Sequence, residues 1–267
     1  LDDRLDKGVD KGSEDRDCPT SAGTPLSPER VRDAIIVALD TDAHSALVLA
    51  RSLHGHVNRL KVGMMLYYSE GPEIVARLRE MGYSVFVDLK LHDIPHQVEG
   101  AAREIARLGV SMFTVHASGG RSMMEAAVRG ACEGSAECGA DTPDVVAVTV
   151  LTSLDPETLL AVGVDHMPAA HVALLTDLAR VAGVQGVVCS PQEARSAREI
   201  LGPEALVVTP GVRPSWAAAR GDQARVATPA EALAAGASHI VIGRPVTMAS
   251  EPVKAVAGIV REGVAGR

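Results

Sequence analysis

Aromatic side chains are nearly missing from this sequence: Phe, Tyr and Trp together make up 2% of its 267 residues. Val, Leu, Ile, Ala and Met must then fill the core, which suits a parallel sheet covered by helices. Positive charge is also in deficit. Lys and Arg number 26 against 34 Asp and Glu, a formal net charge of −8. That balance argues against a nucleic-acid polymer or an anionic membrane surface as main partner, but not against a small anion in a local basic pocket. No apolar run reaches the roughly 20 residues a membrane span needs, and the N-terminus has no signal-peptide core. Cysteine is sparse and scattered. Cys18, Cys132, Cys138 and Cys189 have neither disulfide-framework nor zinc-ribbon spacing, so reduced thiols and a cytoplasmic location are expected.

What is present is 46% hydrophobic residues, enough for a substantial core in one large domain. Residues 1–30 are charged, rich in Gly, Ser and Pro, and almost free of large apolar side chains, so they read as a flexible tail. The domain is expected to cover 31–267. Within it, apolar runs alternate with helical patterns: AIIVALD, RLKVG, SVFVDLK, SMFTVHAS, DVVAVTVLT, GVVCS, ALVVTPGV and HIVIGRP. Segments such as GPEIVARLREMG and QVEGAAREIARLG separate them, with apolar residues at helical spacing and Gly just past the end. Eight β-α units imply a (β/α)8 TIM barrel. A doubly wound open sheet is the competing architecture, and no G-x-G-x-x-G follows the first strand to support it.

The stretch VFVDLKLHDIP, residues 85–95, carries the sharpest chemical signal. In an extended chain Phe86, Asp88 and Lys90 share one face, opposite Val85 and Val87. Charges on an apolar strand cost several kcal/mol each to desolvate unless they are paired or used. In a barrel the active site lies at the C-terminal strand ends. Those ends carry Asp40, Lys61, Asp88 with Lys90, His116, Thr152 with Ser153, Ser190, and the turns TPGVR and IGRP. Asp40 is compatible with two roles, a site carboxylate or the cap of the helix that follows.

The turns TPGVR (209–213) and IGRP (242–245) each place Gly and Arg after a late strand. Backbone N–H groups and Arg244 there suit a phosphate, which barrels of this kind bind after strands seven and eight. His54 and His56 read as solvated loop residues. A metal held by His92 or His116 with Asp88 and Asp93 is disfavoured, because Lys90 puts a competing cation in the same cluster.

In order along the chain, ALD, LKVG, DLKLHDIP, VHASGG, LTS, TPGVR, GDQ and VIGRP resemble the orotidine 5′-phosphate decarboxylase family over residues 31–260. The resemblance implies conversion of orotidine 5′-monophosphate to uridine 5′-monophosphate and CO2, the last step of de novo pyrimidine synthesis, with no metal or organic cofactor. It implies that Lys90 stabilises the C6 carbanion and protonates it, held by Asp88 and Asp93, with Lys61 completing an alternating charge array. It further places Asp40 and Lys61 at the ribose hydroxyls, Thr152 and Ser153 at the pyrimidine, Gln223 between base and phosphate, and Arg213, Gly243 and Arg244 at the phosphate. A two-fold homodimer is implied, in which Asp93 and Gln97 complete the partner's site.

The chain departs from the family pattern at two places. His96 and Gln97 stand where DIPNT is usual, and Met65 stands where many relatives carry Glu. Two other functions remain open: a metal-dependent sugar-phosphate decarboxylase or aldolase of the same superfamily, and a catalytically silent phosphate-ligand barrel. The continuation DIP, where the first alternative usually reads Asp-Ala-Gly, and the intact set Lys61, Asp88, Lys90 and Asp93 favour the nucleotide enzyme.

Overall fold

The computed structural model describes residues 26–217 and 227–265. All eight apolar runs contain strands: β1 (Ile35–Ala38), β2 (Arg59–Gly63), β3 (Ser84–Leu91), β4 (Met112–His116), β5 (Asp144–Val148), β6 (Gly186–Val188), β7 (Leu206–Thr209) and β8 (His239–Ile242). Each pairs in parallel with the next. β8 then returns to β1, with Ile35 opposite Ile240, and closes a (β/α)8 barrel.

Side-chain alternation divides the apolar residues into two cores. Ile36, Ala38, Phe86, Met112, Val146, Val208 and Val241 fill the inside of the barrel. Their strand neighbours, among them Ile35, Val37, Leu60, Val85, Val87 and Phe113, point outward and pack under the helices. The chain has only two Phe, and it uses one in each core.

Several helices start where a short polar side chain satisfies a free N–H group. Asp155 accepts from Thr158 N–H at 2.8 Å, and Thr228 forms a capping box with Glu231. At the N-terminal edge, Ser27 caps a helix over Pro28–Ala34 whose Val31 is fully buried. Residues 28–30 therefore belong to the folded domain, three residues ahead of the expected boundary; a Pro at the first helical position is what the tail reading undervalued.

The opposite, N-terminal end of the barrel holds His239 on the inward face of β8, near Arg59 and Asp33. Burial, helped by the Arg59 charge and opposed by Asp33, pushes its imidazole down from 6.5 to about 4. The folded state thus keeps His239 neutral while the unfolded chain binds a proton. The stabilisation is complete above pH 6.5 and is lost as pH falls toward 4. At its full extent it amounts to about 3 kcal/mol. Urea unfolding of His239→Asn should therefore show a shallower loss of stability between pH 6.5 and 4 than the parent chain; parallel curves would refute the assignment.

Candidate active site

The polar strand ends meet at the C-terminal mouth. Lys61 Nζ lies 3.2 Å from Asp40 Oδ1 and 3.3 Å from Asp88 Oδ2, and Lys90 Nζ lies 2.8 Å from Asp88 Oδ1. The order Asp40, Lys61, Asp88, Lys90 alternates in sign, so each inner charge has an opposite partner on both sides. Lys61 and Asp88 are buried, with side chains 10% and 14% exposed, whereas Asp40 is 60% exposed at the rim. Burial pushes the Asp88 carboxyl up, but the Lys61 and Lys90 charges, with hydrogen bonds from Lys90 and Thr114, outweigh it and hold Asp88 below the usual carboxylate range.

Asp40 is not the helix cap. Asp42 takes that role, its Oδ1 accepting from Ser45 N–H at 3.0 Å, which leaves Asp40 for Lys61. Gly63 makes room for the pair: a Cβ there would sit 3.0 Å from Lys61 Nζ and 3.2 Å from Asp40 Oδ1. The LKVG run thus ends in Gly because two charged groups occupy the space a side chain would take.

Lys90 has φ +54°, the one positive value on a non-glycine residue among those described. A left-handed lysine costs on the order of 1–3 kcal/mol, and such strain clusters at functional sites. It falls in an irregular stretch where β3 spends four steps, Val87 to Leu91, against two on β4, Phe113 to Val115. An even excess preserves parity, so Asp88 and Lys90 still face inward with Phe86.

A cavity of about 300 Å³ opens over this array. Phe86, Val188, Val208 and Val241 form its apolar floor, and Asp40, Lys61, Asp88, Lys90 and Thr152 line one part of it. Arg213, Gly243 and Arg244 also line it, together with Pro210 and Gly211, whose φ of +80° is the reason TPGVR needs a glycine.

Three expected residues are not in that lining. Ser153 is exposed beside Thr152, and Gln97 is exposed in the first turn of the helix Pro95–Arg107. Asp93 is exposed, its carboxylate accepting from Ile94 N–H at 2.6 Å, and it borders a separate shallow recess with His92, Pro95 and Ser118. Gln223 lies outside the described residues. Met65 is 60% exposed in the helix Met64–Glu70, away from the cavity, so the exchange of Glu for Met there leaves the site lining untouched.

His92 and His116 stack with ring centroids 5.3 Å apart. Burial, then His92 and the Lys90 charge, hold His116 below the ordinary imidazole range. Among the described residues no group of three or more His, Cys, Asp or Glu is placed to hold a metal ion. Nor, among them, is any helix long and apolar enough to cross a membrane. Sequence reasoning missed Thr114, whose hydroxyl contacts both Asp88 and the Lys90 backbone; within SMFTVHAS it reads as an ordinary β-branched strand residue.

The family described as "Orotidine 5'-phosphate decarboxylase / HUMPS family" has a model that matches residues 33–259. The chain belongs to this family. Among its members, the orotidine 5′-phosphate decarboxylase of Moorella thermoacetica is 49% identical over 233 residues, covering 86% of this chain and 92% of that one. The enzyme of the same name from Alkalilimnicola ehrlichii is 51% identical over 229 residues, 85% of this chain and 95% of the other. The crystal structure of orotidine 5′-phosphate decarboxylase from Lactobacillus acidophilus superposes with a TM-score of 0.77 at 37% identity, over 87% of this chain and all of that one. In this decarboxylase/HUMPS barrel the D-x-K-x-x-D element runs up β3 and out of the mouth, with its Asp88 and Lys90 at the cavity and its Asp93 beyond the strand.

Proposed function

We infer that the chain is a carboxy-lyase that converts orotidine 5′-monophosphate to uridine 5′-monophosphate and CO2 without a metal or organic cofactor. The observation that carries this reading is the ammonium of Lys90, 2.8 Å from a buried Asp88 and facing the cavity from a left-handed backbone. When the C6–carboxyl bond breaks, its electron pair stays on C6 in the plane of the ring, where conjugation cannot reach it. Stabilisation must come from fixed charge. Lys90 supplies that charge and then its proton: the pair on C6 takes a proton from Nζ, CO2 leaves, and solvent restores the ammonium.

Two carboxylates and two ammonium groups make the array neutral before substrate arrives. Asp88 then faces the substrate carboxylate as a like charge that loss of CO2 relieves. The phosphate fits between the two late turns, where Arg213 and Arg244 offer charge-assisted hydrogen bonds and Gly211 and Gly243 admit it close to the backbone. Asp40 and Lys61 serve the ribose hydroxyls, Thr152 with Ser153 the base, and Gln223 the link between base and phosphate.

A homodimer completes the site in this reading. Among the described residues Lys90 pairs with Asp88 alone, and Asp93 turns to its own Ile94 N–H. Exposed apolar side chains follow the neighbouring strands β2 and β3: Met64 at 46%, Met65 at 60%, Tyr68 at 74% and Ile94 at 64%. A partner seated there covers them and receives Asp93 and Gln97 into its own site.

The test is the loss of orotidine 5′-monophosphate absorbance, with and without exhaustive chelation. Turnover is expected to survive EDTA. Loss of turnover that Mg2+ restores would move the chain to the metal-dependent sugar-phosphate branch, and no turnover at all would favour a silent phosphate-ligand barrel.

A further inference from the structure

Thr114 lies in the middle of β4, 1% exposed, on the same inward parity as Met112. Its hydroxyl meets the irregular stretch of β3. Because β3 spends two extra residues between Val87 and Leu91, regular ladder bonds to β4 are interrupted there. The left-handed turn at Lys90 directs that residue's N–H to Thr114 Oγ1, at 2.8 Å. The same oxygen lies 3.0 Å from Asp88 Oδ1.

The direction of these bonds is fixed by chemistry. A backbone N–H can only donate, so Thr114 Oγ accepts from Lys90. An ionised carboxylate can only accept, so the single hydroxyl proton goes to Asp88. Asp88 in turn accepts from Lys90 Nζ at 2.8 Å. The result is a closed ring: Lys90 N–H to Thr114, Thr114 to Asp88, and Lys90 ammonium to Asp88. One end of the lysine is tied to Thr114 and the other to Asp88, and those two are bonded to each other.

We propose that Thr114 is a positioning residue for decarboxylation, whose hydroxyl holds the Lys90 backbone and the Asp88 carboxylate in one ring and so keeps the ammonium at a single place over the cavity. The proposal rests on the decarboxylase reading of Lys90. Without the hydroxyl, Lys90 N–H loses its acceptor, the left-handed backbone loses what restrains it, and Asp88 loses its neutral donor. The flexible lysine stem then samples several positions, and misplacement by about 1 Å can cost on the order of a hundredfold in rate. Asp88 is also easier to protonate once one donor is gone.

The test compares the parent chain with Thr114→Val and Thr114→Ser, by kcat, KM and pH profile on orotidine 5′-monophosphate, alongside thermal melts. Val keeps the shape and removes the hydroxyl. It should lower kcat by roughly ten- to a hundredfold while KM changes far less, and should move the acid limb of kcat to higher pH. Ser restores the hydroxyl and should return most of kcat. Should Thr114→Val not fold, Thr114→Cys, with a weak donor of similar size, should fall between Ser and Val. A folded Val variant with parental kcat and pH profile overturns the proposal whatever its melting temperature, as does a Ser variant as slow as Val, which would make the methyl the important group. A parent chain that does not turn over overturns the decarboxylase reading and this proposal with it; an active parent matched by Thr114→Val overturns this proposal alone.

Discussion

Replacing Lys90 with Ala is expected to lower kcat/KM for orotidine 5′-monophosphate by at least about 10⁴-fold, the joint effect of losing a charge that stabilises the carbanion and the acid that protonates it. Both roles fall on one atom, so no neighbour substitutes. Lys61 is the nearest other ammonium, but it is held between Asp40 and Asp88 at 3.2 and 3.3 Å and its side chain is only 10% exposed. Deleting Lys90 also leaves Asp88 with less compensation beside an incoming carboxylate, so substrate binding should weaken as well. Lys90→Arg separates the two roles. It keeps a cation, yet a guanidinium does not give up its proton at neutral pH, so turnover should stay low while part of the binding returns. Calorimetric titration with uridine 5′-monophosphate checks that each variant still forms the phosphate site. Turnover by Lys90→Ala within tenfold of the parent chain would remove Lys90 from the centre of the mechanism.

The barrel was legible in the sequence because parallel strands buried on both faces leave a plain trace: eight short apolar runs, each ended by a polar residue or glycine, all contain strands. Asp88 and Lys90 were legible for the same reason, since charge on such a run needs a use. Their arrangement was less so. An even excess of two residues on β3 keeps both side chains inward, and strict alternation predicts the same facing, so the irregularity and the left-handed Lys90 left no mark in the pattern. Thr114 was hidden because its hydroxyl matters only through a residue 24 positions away. Asp40 was ambiguous between cap and site, and geometry decided it: the carboxylate two residues later, Asp42, meets the helix N–H. Gln97 and the cross-subunit role of Asp93 came from family resemblance, Ser153 from its place after a strand end, and a single chain brings none of the three to the cavity.

Asp93 is therefore where assembly and chemistry are expected to meet. It sits three residues past Lys90 and two before Pro95, where the chain leaves the mouth, and in one chain its carboxylate accepts from its own Ile94 N–H at 2.6 Å. If the partner's site needs this carboxylate, Lys90→Ala and Asp93→Ala homodimers are both nearly inactive, each for want of one group per site. A mixed dimer differs. The site built on the intact Lys90 receives the intact Asp93 from the other chain, and the second site carries both substitutions. Random reassortment of equal amounts makes half of the dimers mixed with one good site in each, so activity should recover to about a quarter of the parent value per site. If each Asp93 instead serves its own chain, every site in every dimer stays defective, and mixing restores nothing. The measurement is the decarboxylation rate of the two purified variants after equilibration together, with subunit exchange verified by a size tag on one of them. Recovery near a quarter supports a shared active site; continued inactivity after verified exchange confines the site to one barrel and removes Asp93 from the partner's array.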